Sequence, residues 1–284
     1  MIRLIAVSAA LSLVTAAGVQ AGATGGTITE GDVSFTRTAS SFDGTPEAHF
    51  TGVTTTAAAD QLFEFGWWYR LAGESQETPF GTPATENYAG ESSALGWLGL
   101  GGGTFSAVED AVVHDLGVPG DTTDGGWILS HLTIFNISGA QLDLTIFHAA
   151  DIDVNGTSSD SAALYQWDHW RAIRVDDPTT ADYIYYVARD ETASSFRVEP
   201  FASSVTNLLN DGLFTSFDQT GLPFGPGDFT GGWQFPLSIP AGGSATIHVY
   251  VQVNSFFNEC DNPFGVFCDG FNSATPLAWS SIAP

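Results

Sequence analysis

The run Asp151-Ile152-Asp153-Val154-Asn155-Gly156-Thr157, continuing through Ser158 and Ser159 to Asp160, carries the chain's clearest chemical signal. Oxygen-bearing side chains fall at alternate positions, and a glycine stands where a tight loop must turn. A hard cation such as Ca²⁺ uses that spacing. It predicts a Ca²⁺ loop with Asp151, Asp153, Asn155, Thr157 and Asp160 as ligands. The loop is not a complete EF-hand, because position 12, where a bidentate glutamate belongs, is Ala162. The competing reading is a solvated Asn-Gly turn flanked by charge.

Aromatic side chains form the second candidate surface. Trp68, Trp167 and Trp170 are read as possible stacking platforms, the last two flanking Asp168-His169. Flat rings beside carboxylates suit a polysaccharide. Phe63, Phe65 and Trp67 are assigned instead to the core by burial tendency. No catalytic residue is assigned. The chain has no Gly-x-Ser-x-Gly elbow, no His-Glu-x-x-His pair and no phosphate-binding glycine loop. Six scattered histidines show no paired spacing. Among 32 acidic residues some pair must fall at glycosidase distance, so their presence alone proves nothing.

The elements that would position these residues are strands. Ala245–Val253 and Gln141–His148 alternate apolar with polar residues. Similar runs occur at Thr27–Arg37, His49–Thr56, Gln61–Leu71, Thr104–Asp115, Trp127–Ile137, Ala172–Val175, Tyr183–Arg189 and Trp233–Ile239. Gly/Pro/Asp clusters separate them. One short helix is expected over Val205–Asn210, capped by Ser203 or Ser204 and ended by Gly212. The pattern predicts an all-β fold, a large antiparallel β-sandwich of Greek-key type with at most that helix. Residues 22–284 read as one domain, with a long loop or insertion around 73–103.

Composition bounds the partners. Seven basic residues, all arginine, stand against 32 acidic ones, a formal charge of −25. Such a surface repels nucleic acid and anionic membranes and attracts Ca²⁺. Residues 1–21 read as a signal peptide, with a second cleavage option at 23, and no later run is long enough to span a membrane. The product is expected to be secreted, or periplasmic. Cys260 and Cys268, bracketing Asp261-Asn262-Pro263-Phe264-Gly265, are expected to form one disulfide.

Three segments, Phe63–Arg70, Asn136–Thr157 and Gly227–Phe235 with Pro240–Ser244, together resemble exported bacterial β-rich proteins, many of which end in a Pro-Glu-Pro type sorting signal. This chain departs from them in having no such tail, which puts surface anchoring in doubt. No activity is established for that group, so the resemblance implies export and a β-rich unit. Two functions are consistent with these readings. One is a calcium-stabilised, non-catalytic extracellular binding or structural module. The other is a polysaccharide-active hydrolase or lyase using a carboxylate pair in an aromatic-lined cleft.

Overall fold

Alternating apolar residues build antiparallel sheets throughout the computed structural model, which describes residues 24–38, 42, 44, 46–53, 58–117, 125–167, 170–189 and 195–254. The expected leader and both cysteines lie outside the described residues. A four-stranded sheet runs in the order β1 (Gly25–Glu30), β2 (Val33–Thr38), β3 (Ala48–Val53), β4 (Ala58–Asp60). A five-stranded sheet has the order β15 (Ser195–Pro200), β17 (Phe229–Ile239), β11 (Leu142–Ile152), β5 (Leu62–Leu71), β6 (Thr78–Pro79). The nine-stranded sheet has the order β16 (Phe224–Gly227), β12 (Asp160–Trp167), β13 (Trp170–Asp176), β14 (Tyr183–Arg189), β18 (Ser244–Val253), β10 (Gly126–Asn136), β9 (Phe105–Asp115), β8 (Ser92–Gly99), β7 (Thr85–Ala89). The all-β sandwich is therefore the fold.

The core lies between the two larger sheets, where strand alternation points every second residue inward. Ile128, Leu132 and Ile134 of β10 and Ile247, Val249 and Val251 of β18 meet Phe65 and Trp67 of β5, Ile146 of β11 and Trp233 and Phe235 of β17. A second cluster covers the outer side of the five-stranded sheet. There Trp68, Phe147 and Ala149 pack under Val205 and Leu209 of the short helix Val205–Asn210. The Ser204 side chain accepts a hydrogen bond from the Asn207 backbone N–H, 3.1 Å away, and so caps that helix. Ser204→Ala is expected to cost about 1 kcal/mol, read as a lower denaturation midpoint.

Two expectations need correction. Thr27–Arg37 is not one strand but the hairpin β1–β2, turned at Gly31, whose φ of 56° is left-handed. Of the two readings given for 73–103, a long loop or an insertion, the long loop does not hold. The stretch carries β6, β7 and β8, and the β7–β8 hairpin extends the nine-stranded sheet from β9. Its polar, glycine-rich composition is that of an edge, half exposed to solvent.

Candidate functional site

The acidic run sits at the end of β11. Asp151 is the last residue there to pair on both sides, with Thr230 of β17 and Glu64 of β5. The ladder then slips, so that Ile152 opposes Leu62 and Phe63 is left without a partner. This bulge re-aims Phe63. The ring becomes only half buried and lines a cleft of about 460 Å³, where the sequence reading had it in the core. Glu47, Glu64, Asp151, Asp153, Asp228 and Phe201 complete the lining. Five carboxylates and two phenylalanines thus face one space, and none of these lining residues is basic.

Within the cleft one oxygen from each of Asp151, Asp153 and Asp228 lies within 4.8 Å of the others. Asp151 is 4% exposed, and its Oδ1 has no hydrogen-bond partner. Burial, with Asp153, Glu64 and Asp228 adding repulsion, pushes its carboxyl up to about 8. Burial, then Asp228 and Asp60, brings Asp153 to about 7. Asp160 is fully buried with neither carboxylate oxygen hydrogen-bonded. Its backbone pairs with Gly227, next to Asp228. Burial first, then Asp153, pushes it to about 8. Burial also raises Glu64, which the Thr206 hydroxyl stabilises from 2.6 Å.

The expected five-ligand loop is only partly assembled. Asp151 and Asp153 converge, while Asp160 stands behind them. Asn155 has φ 60°, and its side-chain amide donates to Asp177 Oδ2, Thr180 Oγ1 and Asp182 Oδ2 at 3.0–3.1 Å. Thr157 donates to the Val154 carbonyl at 3.0 Å. These hydrogen bonds fold the turn. Asp228 joins Asp151 and Asp153 from the segment just before β17. Its local sequence signal is the turn Gly225-Pro226-Gly227-Asp228 ahead of a strand.

The stacking assignments fare differently. Trp68 is 1% exposed under the helix, and its Nε1 donates to Asn210 Oδ1 at 3.0 Å, so it is a core residue and not a platform. Trp167 and Trp170 oppose each other at the end of the β12–β13 hairpin; their side chains lie outside the description.

A second arrangement occupies the outer face of the nine-stranded sheet. Asp110, His131, His248 and Arg189 are register partners in turn across β9, β10, β18 and β14. The two imidazoles meet edge to face with centroids 4.3 Å apart. Burial, then the neighbouring His248 and Arg189, holds His131 down to about 3. Burial and Arg189 hold His248 to about 4. Both rings are neutral at ordinary pH. Further along the same face lie Tyr165, Tyr183 and Tyr185, with Arg174 stacked 4.1 Å over Tyr183. Spacing along the chain gave no sign of the histidine pair, because register across four strands creates it.

No protein-family model matches the sequence, and no curated protein matches it. Among solved structures, the fold is similar to that of a bacterial glucoamylase complexed with acarbose, at 10% identity and a TM-score of 0.50. The likeness covers 82% of this chain and 32% of the glucoamylase, so this chain spans about a third of that protein. A galactose mutarotase-like protein from Lactobacillus casei ATCC 334 is similar over 81% of this chain and 100% of its own, at 7% identity and a TM-score of 0.46. At 10% identity the likeness to the glucoamylase is one of fold alone.

Proposed function

We propose that this chain is an exported, non-catalytic carbohydrate-binding β-sandwich, and that a saccharide docks on the outer face of the nine-stranded sheet. The observation that carries this reading is the Asp110–His131–His248–Arg189 row, with the part-exposed Tyr165 and Tyr183 farther along the same face. Hydroxyl-rich rings are held by a few fixed donors and acceptors together with aromatic faces. The row supplies a carboxylate, two neutral imidazoles and a guanidinium in one line. The acarbose complex of the glucoamylase, a protein of similar fold, lends support. The leader-like start and acidic charge favour work outside the cytoplasm, and no helix among the described residues is long and apolar enough to cross a membrane.

Titration calorimetry against a panel of soluble oligosaccharides and polysaccharides tests the reading. At least one glycan should bind, and His131→Ala or Arg189→Ala should weaken it at least tenfold, about 1.4 kcal/mol. Binding by none of the panel, or equal binding by both variants, rejects it.

A further inference from the structure

We infer that Asp151, Asp153 and Asp228 bind one divalent cation, Ca²⁺, at the wall of the acidic cleft, with Glu64 beside it. Oxygens that share a Ca²⁺ at 2.3–2.6 Å lie no more than about 5 Å apart. The three carboxylates meet that condition at 4.8 Å.

Two observations besides the clustering point to a ligand. Asp151 lines the cleft, is buried and has Oδ1 unpartnered, and a buried carboxylate without a partner is costly. Asp151 also faces Glu64 directly across the β11–β5 ladder, where like charges repel. Among the described residues, no arginine, lysine or histidine lines the cleft to offset this. A cation removes both penalties at once. All the donors are carboxylate oxygens, which suit a hard ion.

The geometry also says what the ion would hold. Asp151 is the last but one residue of β11, Asp153 caps the turn after it and Asp228 precedes β17. One ion would therefore tie that turn to the start of β17. Three carboxylates fill fewer than the six to eight positions Ca²⁺ takes. The others open onto the cleft, so a chelator can reach the ion.

Calorimetry and thermal melts of the whole protein, stripped with EDTA and titrated with CaCl₂ at pH 7.5, test the site. One saturable site and a Ca²⁺-dependent rise in Tm are expected. Asp228→Asn should lose at least tenfold in Ca²⁺ affinity, yet melt no lower than the parent in EDTA because a repulsive charge is gone. That pairing of effects is one a purely structural aspartate would not give. Thr157→Val should bind Ca²⁺ within about twofold of the parent. The inference fails if millimolar Ca²⁺ produces neither heat nor a shift. It fails also if Asp228→Asn binds normally, as a site confined to the Asp151–Asp160 loop would require. Neither readout involves a glycan, so the outcome is separate from that of the carbohydrate reading.

Discussion

Calcium is expected to reverse the pH dependence of this protein's stability. In EDTA, Asp151, Asp153 and Asp160 hold protons up to about 8, 7 and 8 in the folded chain. In the unfolded chain they release them near 4. The folded state then binds more protons from about pH 4 to 8, and stability falls as pH rises through that range. The histidines act with the opposite sign. His131 and His248 titrate at about 3 and 4 when folded, and burial holds His148 well below its ordinary range. Unfolded, each takes a proton near 6.5, so stability falls as pH drops below about 6.5.

The two groups offset one another between about pH 4 and 6.5 in the metal-free protein. Above that only the carboxyls act, and stability should drop by about 3 kcal/mol between pH 6.5 and 8.5. For a chain of this size that is on the order of 10 °C in Tm. A bound cation keeps Asp151 and Asp153 ionised, which removes their share of the alkaline loss and leaves the histidine limb less opposed. The Ca²⁺-loaded protein should therefore lose Tm as pH falls from about 6.5 to 4.5. Melting curves across pH, with EDTA and with millimolar Ca²⁺, read both slopes. Parallel profiles in the two buffers would refute the expectation.

Removing Arg37 without its partner should be among the most damaging single changes. Arg37 Nη2 lies 2.5 Å from Glu109 Oε1, with the two side chains 2% and 1% exposed. The same oxygen accepts from Trp67 Nε1 at 3.0 Å and from Ser130 Oγ at 2.5 Å. The guanidinium also packs 5.2–5.3 Å from the Phe35 and Phe65 rings. Arg37 comes from β2, Glu109 from β9 and Trp67 from β5, so the network joins all three sheets. Arg37→Leu leaves a carboxylate buried without its counter-charge, a loss of about 3–5 kcal/mol. The double variant Arg37→Leu with Glu109→Leu should recover more than half of it, because no charge then remains to be buried. Urea unfolding measures both. A single-variant loss under about 1 kcal/mol would show the pair to be dispensable.

Much of the fold was legible in the chain. Ile247, Val249 and Val251 alternate with Thr246, His248 and Tyr250 because a pleated strand turns each successive side chain to the opposite face. The helix over Val205–Asn210 was readable from its Ser204 cap, a local interaction spanning three residues. The edge strand β7 and its neighbour β8 are not legible because glycine and polar residues look alike in a loop and at a half-exposed sheet margin. Trp68 was misassigned because strand alternation sends it away from the inner core, while only tertiary packing reveals that a helix covers the other side.

The acidic site divides along the same line. The sequence by itself determined an all-β chain and the local placement of Asp151 and Asp153, since neighbours two residues apart stay near one another in any fold. The tertiary structure alone decided that Asn155 turns to Asp177 and Asp182, that Asp228 joins the two aspartates and that Glu64 faces Asp151 across the ladder. It also set Asp110, His131, His248 and Arg189 in one row. The physical reason is register. A strand's residue types specify which face each side chain takes, but the residue standing opposite is chosen by pairing between segments that lie tens to more than a hundred positions apart.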